Sequence, residues 1–388
     1  MSGERADATA DHVLNEIDYV HVGPGTPCGR YLRSFWHPIY RAEDLQPGWS
    51  KRVELLGEFF TLYRGEGGAA HLVEDRCPHR RTRLSIGEVE GDSLRCFYHG
   101  WKFAADGRCE EQPTEPASYK ASVCIRAYPV REYLGLIFAY LGEGDAPEFQ
   151  EFPEAEYDNG LPLRITRNEV PCNFFQRLEN SLDEAHVHFV HKVSAGATQE
   201  FSALPSAYEA EETEYGILRR TIRERGGRTD VRQKYFMMPN LGLTVPPPAT
   251  ELDDWTPNLS WRVPRNDEAT YSFVLSRRKP RPRAVAARTW QPAEEIVQAI
   301  LDGRMRMRDV DPYHPRLFNI QDNTVLAAQG RLHDDRGSER LGRSDRAVVL
   351  LRKLYEREIG QLLAGRPIKR WRYPRHKLVL GFQPKAAP

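Results

Sequence analysis

Residues 77–101 read CPHRRTRLSIGEVEGDSLRCFYHGW, a stretch with two cysteines and two histidines in two short pairs. The first pair is Cys77-x-His79 and the second is Cys96-x-x-His99, with sixteen residues between the pairs. The strand-like segment HLVED precedes the first pair, and SLRC leads into the second. Both pairs are therefore expected on the tips of β-hairpins. Thiolates and imidazoles presented together from two turns are typical metal ligands.

Two kinds of metal site use such a ligand set. Structural zinc takes mixed Cys and His ligands, but its paired ligands are more often separated by two to four residues. The pattern resembles the Rieske [2Fe–2S] motif, in which two histidines replace two cysteines on one iron. The resemblance implies that Cys77 and Cys96 bind one iron, and that His79 and His99 bind the other. Trp101 is expected either to shield the cluster or to pack as ordinary core.

The composition limits the classes of partner. Among 388 residues, 55 are Lys or Arg and 55 are Asp or Glu, so the formal charge is zero. This balance predicts neither nucleic acid nor an anionic membrane as a partner. The N-terminus has no signal-peptide core, and the most apolar run, 134–142, has nine residues and is too short to span a bilayer. We expect that run to be a buried strand.

The cysteine usage indicates the cellular compartment. Six cysteines in a chain of this length do not resemble a disulfide framework. A reducing compartment fits, and a cytoplasmic protein is predicted.

Turn signals and composition predict two domains. Short apolar runs broken by glycines fill the first third of the chain and favour a small antiparallel sheet assembly. The composition becomes acidic and turn-prone near residues 147–153. We therefore predict a domain over 1–152 and a second domain over 153–388. The later strands and helices predict an α+β fold, in which helices cover a large antiparallel sheet of the helix-grip type.

Three helices and several strands are expected in the second domain. Helices are predicted over 174–191 and 292–307, and a third begins with Ser344 as its N-cap and stops at Gly365. Strand candidates are TEYGILRRTIRE, RQKYFMMPNLGLTVPPP and ATYSFVLSRR. The basic run RRKPRPR at 277–283 is either a solvated loop or a docking site for an acidic redox partner.

Residues 179–191, ENSLDEAHVHFVH, form a second group of possible ligands. On a regular helix Asp183 and His186 lie about 60° apart and share a face, whereas His186 and His191 lie about 140° apart. A helix break or bulge between the two histidines would therefore be needed for one metal to bind both. On regular geometry alone His188 and His191 make the better chelate.

This group resembles the mononuclear iron motif of Rieske-type non-haem iron oxygenases. The resemblance implies that His186 and His191 bind iron, and that His188 does not. Two imidazoles need a carboxylate to complete a facial triad with open positions. The Gln-Asp dipeptide in PRLFNIQDNTVLAAQG supplies Asp322, and the resemblance favours it. The competing carboxylates in the polar stretch that follows are Asp334, Glu339 and Asp345.

The resemblance extends over nearly the whole chain and is to the phthalate-dioxygenase-like branch of aromatic ring-hydroxylating oxygenase α subunits. It implies a homotrimer, or a dimer of trimers, in which the cluster of one subunit faces the iron of the next. Asp183 would join the two centres by hydrogen bonds to His186 and to His99 of the neighbouring copy. As the hydrogen-bond acceptor for the outer nitrogen of His186, the Asp183 carboxylate would also orient that imidazole.

The implied function is that of a terminal oxygenase component. A separate reductase or ferredoxin would supply electrons from NAD(P)H, because the chain has no Gly-rich dinucleotide fingerprint. With O2 as co-substrate, mononuclear Fe(II) would hydroxylate or oxidatively demethylate an aromatic or related polar ring. One alternative is a Rieske electron-transfer or binding protein without oxygenase activity. Another is an oxygenase that acts on a steroid or an alkylammonium compound.

The sequence offers several candidates for the substrate pocket. Phe236 and Met238 are spaced as residues on one face of a strand, and they either line the pocket or pack in the core. Arg219, Arg220 and Arg232 are candidates for binding a carboxylate, and nothing in the sequence chooses among them.

Overall fold

Antiparallel strands form most of the molecule in the computed structural model. The structure describes residues 17–116, 119–152, 160–192, 204–225, 227–244, 258–277, 289–331, 338–373 and 383–384. The chain divides into two compact units. The N-terminal unit holds His21–Phe149 and Val263–Asp267, and the C-terminal unit holds the other described residues.

The short segment Val263–Asp267 belongs to the N-terminal unit because its backbone carbonyls accept hydrogen bonds from that unit. The amides of Leu56 and Gly57 donate to the carbonyls of Pro264 and Arg265, at 3.0 and 2.9 Å. A single cut in the chain cannot describe two units of this kind, so the limits 1–152 and 153–388 remain a prediction about domains.

Among its described residues, the N-terminal unit contains one α-helix and three small sheets. Its elements are α1 (Pro27–Arg33), β1 (Trp36–Arg41), β2 (Ser50–Leu55), β3 (Glu58–Arg64), β4 (Ala70–Glu74), β5 (Glu88–Glu90), β6 (Ser93–Arg95), β7 (Lys102–Phe103), β8 (Cys109–Glu111), β9 (Ala127–Tyr128), β10 (Val130–Tyr133) and β11 (Leu136–Tyr140). The sheet orders are β1-β11-β10, β2-β3-β4-β9 and β5-β6-β7-β8. Every residue of β11 is buried, which confirms the strand predicted for the apolar run.

The C-terminal unit is built on one eight-stranded sheet, with the order β12-β18-β17-β16-β15-β14-β13 and with β19 paired to β15. Its strands are β12 (Leu163–Val170), β13 (Ala207–Glu212), β14 (Gly216–Arg225), β15 (Arg228–Met237), β16 (Leu241–Thr244), β17 (Asn258–Pro264), β18 (Thr270–Arg277) and β19 (Gln383–Pro384). The last two residues of β17 belong to the N-terminal unit. Its helices are α2 (Phe174–Leu182), α3 (Ala185–Val190), α4 (Ala293–Leu301), α5 (Leu317–Ala328) and α6 (Arg346–Leu363). The α+β fold with a large antiparallel sheet and covering helices is thus confirmed.

The helix predicted over 174–191 is wrong as a single element. It is divided into α2 and α3, with Asp183 as the C-cap of α2 and Glu184 as the N-cap of α3. Asn173 starts α2 with a capping box. Its side-chain oxygen accepts a hydrogen bond from the backbone amide of Phe175, and its own backbone amide donates to the side-chain oxygen of Gln176. The break expected between His186 and His191 is therefore wrong, because the break lies before His186, and α3 ends at Val190 with His191 as its C-cap.

Two other predicted boundaries are also corrected. The helix over 292–307 ends at Leu301 because Gly303 takes a φ of 72° and closes the turn, with Arg304 N bonded to Ala299 O at 2.8 Å. The N-cap of α6 is Asp345 and not Ser344, which lies in a 3-10 turn. Gly365, with a φ of 67°, follows the end of α6 as predicted.

Candidate metal centres

Cys77 and Cys96 begin two loops that share one backbone conformation. In each loop the cysteine amide donates to the carbonyl of the fifth residue after it, at 2.9 and 2.8 Å. The amide of the fourth residue after it donates back to the cysteine carbonyl, at 2.9 and 3.0 Å. That fourth residue has a left-handed φ in both loops, 61° at Arg81 and 74° at Gly100. The same turn thus presents a cysteine and a histidine twice.

The first loop is closed by an isolated bridge between Arg76 and Arg83, and the second joins β6 to β7. Both lie at hairpin-like tips, as the sequence predicts. The imidazoles of His79 and His99 meet at the rim, with ring centroids 4.4 Å apart.

The cysteines lie beneath the histidines. Cys77 is 1% exposed and Cys96 is 3% exposed, and both belong to the core cluster under the loops. Trp101 stacks on His79, with the ring planes 5° apart and the centroids at 4.6 Å, and it belongs to the same cluster. The tryptophan therefore both covers one histidine and fills the core.

The side chains of the two loops fit a cluster with two thiolates and two imidazoles. The thiols of Cys77 and Cys96 are hydrogen-bonded to each other, which lowers the pKa of Cys96 to about 6 and raises that of Cys77. His79 Nδ1 is buried and has no hydrogen-bond partner among the described residues. Such an orphaned nitrogen beside two sulfurs is what a bound iron would satisfy.

In the C-terminal unit His186, His191 and Asp322 converge. One ligand atom of each lies within 4.8 Å of the others, although α3 supplies one histidine, its C-cap supplies the second, and α5 supplies the carboxylate. His186 Nε2 is 3.7 Å from Asp322 Oδ1, and His191 Nε2 is 3.2 Å from the same oxygen.

Hydrogen bonds on the far side of each imidazole fix its tautomer. Nδ1 of His186 donates to Asp183 Oδ2 at 3.2 Å, and Nδ1 of His191 donates to Gln321 Oε1 at 2.8 Å. Each Nε2 therefore carries a lone pair directed at Asp322 Oδ1, which is buried without a hydrogen-bond partner among the described residues. Two lone pairs and a carboxylate oxygen that meet without a proton form a site for a divalent cation.

The carboxylate of Asp322 is held in its ionised form. Burial raises its pKa, but the positive charge of Arg177 opposes burial, and the net shift leaves the pKa well below the usual value. Arg177 Nη2 lies 3.5 Å from Asp322 Oδ2, and its Nη1 donates to Asn180. Asn180 Nδ2 lies 3.5 Å from His186 Nε2.

Three residues next to the triad were not predicted from the sequence, namely Arg177, Asn180 and Gln321. The first two lie one turn apart on α2, and Gln321 directly precedes Asp322 on α5. The only available signal was the Gln-Asp dipeptide, because an amide beside a carboxylate ligand suits an outer partner of a ligand histidine.

The competing ligands lie elsewhere or serve other contacts. His188 is outside the converging group and contacts the ring of Phe189 at 4.8 Å. Glu339 pairs with Arg352 at 2.7 Å, and Asp345 accepts from the Gly342 amide at 2.7 Å. Asp334 and most of the basic run at 277–283 lie outside the described residues.

The pocket candidates are distributed over both faces of the sheet. Phe236 is fully buried on β15, but Met238 lies beyond the end of that strand, so strand alternation does not relate the two. Arg219 and Arg232 pair with Glu184, at 2.5 and 3.0 Å. Their neighbour Arg220 alternates to the opposite face and pairs with Glu211 at 2.8 Å.

Comparison with known proteins gives the family. The Rieske [2Fe-2S] domain profile matches residues 35–131. The chain is 32% identical over 360 residues to the 5,5'-dehydrodivanillate O-demethylase oxygenase subunit of Sphingobium sp. (strain NBRC 103272 / SYK-6), covering 89% of this chain and 79% of that protein. It is 29% identical to the phthalate 4,5-dioxygenase oxygenase subunit of Pseudomonas putida, covering 87% and 84% of the two chains.

The fold also matches solved structures. A fluorene-bound oxygenase in complex with the ferredoxin of carbazole 1,9a-dioxygenase superposes with a TM-score of 0.62 at 21% identity, over 89% of this chain and 95% of that one. None of the described helices is both long enough and apolar enough to cross a bilayer.

The chain belongs to the Rieske-type non-haem iron aromatic ring-hydroxylating oxygenases, as an α subunit of the phthalate-dioxygenase-like branch. It is a terminal oxygenase subunit. Its cofactors are a Rieske [2Fe–2S] cluster and mononuclear Fe(II), and O2 is its co-substrate.

Proposed function

We propose that Cys77, His79, Cys96 and His99 hold the [2Fe–2S] cluster, and that His186, His191 and Asp322 hold the mononuclear iron. When bound, these groups store electrons and activate O2 for insertion into a substrate. The observation that carries the proposal is the convergence of His186, His191 and Asp322, with both outer imidazole nitrogens already engaged.

The chain's own residues prepare the iron site. Asp183 and Gln321 hold the protons on the Nδ1 atoms of His186 and His191, so that both Nε2 atoms remain available as ligands. Arg177 contacts the second oxygen of Asp322 and keeps the carboxylate ionised and oriented.

We propose that Asp183 also connects the two centres between subunits. One oxygen, Oδ1, accepts from the amide of Ala185 at 2.7 Å, and the other accepts from His186. The carboxylate is partly exposed, at 27%, and can accept a further hydrogen bond. We infer that His99 of the partner subunit donates it in a homotrimer or a dimer of trimers.

We infer an aromatic substrate that is hydroxylated or oxidatively demethylated. The relatives support this inference, since one is named as an O-demethylase and another as a phthalate dioxygenase. A separate reductase or ferredoxin supplies the electrons, and the ferredoxin complex of a structural neighbour supports such a partner. We place the protein in the cytoplasm, with its domains at 1–152 and 153–388.

The test is turnover with a supplied reductase and NADH, using methoxylated and carboxylated aromatic compounds. The proposal predicts substrate-dependent O2 uptake, with formaldehyde released from methoxy compounds when demethylation occurs. Substitution of His186 by alanine should abolish coupled uptake and preserve the Rieske absorbance. A variant that remained fully active would show that the iron ligands are assigned wrongly.

A further inference from the structure

A buried glutamine beside the cysteine-histidine loops has no partner for its side chain. Gln112 directly follows β8 and is 7% exposed. Neither its side-chain oxygen nor its side-chain nitrogen makes a hydrogen bond within the part of the chain that the structure describes. A buried amide without hydrogen bonds is costly, and native proteins seldom leave one unpaired. Gln112 therefore requires a partner that the described residues do not supply.

The strand register places this glutamine opposite Trp101. Lys102 on β7 pairs with Glu111 on β8, so the next position along each strand sets Trp101 against Gln112. Residues that lie opposite each other in an antiparallel pair share one face of the sheet. Glu111 is exposed and Gln112 is buried, as strand alternation requires. The amide of Gln112 thus lies on the same face as the indole of Trp101.

Two further contacts place this pair at the second loop of the proposed cluster site. The Cys96 amide donates to the Trp101 carbonyl at 2.8 Å, so the tryptophan also pairs with the cysteine that begins this loop. A β-carbon at Gly100 would lie 3.3 Å from Pro113 Cγ, so the residue after Gln112 packs closely on the end of the loop. The glutamine is therefore a neighbour of the loop that presents Cys96.

Three side chains at this place have unsatisfied polar atoms. These atoms are Nδ1 of His79, Nε1 of Trp101 and both polar atoms of the Gln112 amide, none of which has a partner among the described residues. The Trp101 ring stacks on His79, with ring centroids 4.6 Å apart, so the three side chains form one group. The core cluster around Trp101 consists of hydrophobic residues and cysteines. A [2Fe–2S] cluster would offer iron to the imidazole and sulfur acceptors to the two N–H groups.

We propose that the side-chain amide of Gln112 donates a hydrogen bond to a sulfur atom of the [2Fe–2S] cluster and thereby raises the reduction potential of the cluster. The proposal rests on the proposed function, since it takes Cys77, His79, Cys96 and His99 to be the cluster ligands. One-electron reduction adds one negative charge to the cluster. A hydrogen-bond donor stabilises the more negative form, so the amide makes the cluster easier to reduce.

The test is a redox titration of the iron-loaded enzyme, in which the midpoint potential of the cluster is followed by its visible absorbance. Gln112→Met removes the amide and keeps a side chain of similar length. We expect the equilibrium constant for one-electron reduction to fall about tenfold, which is a decrease of about 59 mV in the midpoint potential.

Two controls separate a hydrogen bond to the cluster from a general effect on structure. Gln46→Met is the matched variant, because Gln46 is exposed in the same unit and donates to the Glu43 carbonyl. It should keep the wild-type midpoint potential. The acid-labile sulfide content and Rieske absorbance of Gln112→Met should match those of the wild type, which shows that the altered potential belongs to an intact cluster.

A measurement on the wild type decides the question if Gln112→Met does not assemble its cluster. Glutamine side-chain amides are labelled with heavy nitrogen, and the reduced cluster is studied by pulsed electron paramagnetic resonance. A nitrogen that donates to a cluster sulfur should appear as a weakly coupled nucleus, because the hydrogen bond carries unpaired spin density to it.

An unchanged midpoint potential in Gln112→Met with an intact cluster would overturn the proposal and would leave an internal water as the partner of the amide. The absence of coupling to heavy nitrogen in the labelled wild type would overturn it as well. Failure of the proposed function is distinct from both results, because the wild type would then lack acid-labile sulfide and the Rieske absorbance.

Discussion

Nε2 of His191 lies 3.2 Å from Oδ1 of Asp322, and no proton is available between the two atoms because the His191 proton is on Nδ1. In the absence of a cation this approach is repulsive. The contact is therefore informative about what the site binds, and it supports the assignment of both atoms as ligands of one divalent ion.

Substitution of this carboxylate should remove the mononuclear iron alone. For Asp322→Asn we expect loss of most of that iron and a fall in O2 uptake of about a hundredfold or more, because the amide cannot supply the ligand's negative charge. Iron analysis and the Rieske absorbance measure the two centres separately. Glu339→Gln, a change at a competing carboxylate, should leave both centres intact.

Gln321 should influence iron affinity without touching the metal. Gln321→Leu removes the acceptor for His191 Nδ1, which frees the imidazole to rotate and to change tautomer. We expect iron affinity or activity to fall by about 10- to 100-fold. Gln298→Leu on the exposed side of α4 is the control. Unchanged iron affinity in Gln321→Leu would show that the hydrogen bond has no role in the site.

Asp183→Asn should separate electron transfer from metal binding. The amide keeps a hydrogen-bonding group near His186 but loses the charge that links the centres in the proposed trimer. In a single turnover of the reduced enzyme with substrate and O2, oxidation of the cluster should slow by about tenfold or more. Both metals should remain bound at wild-type levels. An unchanged rate of cluster oxidation in this variant would show that Asp183 does not take part in electron transfer between the centres.

The residues of the two sites differ in whether a local sequence pattern predicts them. The two loops could be predicted because ligands separated by one or two residues need only a local turn. Asp322 is favoured only through its Gln-Asp dipeptide and the family resemblance, because no local pattern links it to His186 and His191. The limits of α2 and α3 could not be predicted, since no glycine or proline marks the break at 183–184.

Tertiary contacts impose that break. Arg219 donates to the carbonyl of Leu182 at 3.1 Å, and Lys234 donates to the carbonyl of Ser181, so two strands satisfy the end of α2. Glu184, at the start of α3, is fixed by three arginines. All these partners lie at least 35 residues away in sequence, beyond the range of any local pattern.

A buried histidine in the N-terminal unit should make stability depend on pH. Burial lowers the pKa of His37 to about 4, with a hydrogen bond to Leu32 O opposing the shift. In the unfolded chain this histidine is protonated as the pH falls below about 6.5, whereas in the folded chain it is protonated only below about 4. The free energy of unfolding should therefore decrease as the pH is lowered from about 6.5 to about 4, by at most about 1.4 kcal/mol per pH unit. Urea unfolding of His37→Gln should show a shallower decline. Parallel curves for the two proteins would contradict this origin of the pH dependence.

The most direct measurement is the ratio of iron to acid-labile sulfide in the purified, iron-loaded enzyme. A Rieske cluster together with a mononuclear site predicts a ratio of about 3:2, falling to about 1:1 in Asp322→Asn with the Rieske spectrum unchanged. A wild-type ratio of about 1:1, or zinc in place of the mononuclear iron, would contradict the assignment of His186, His191 and Asp322 as the oxygen-activating site.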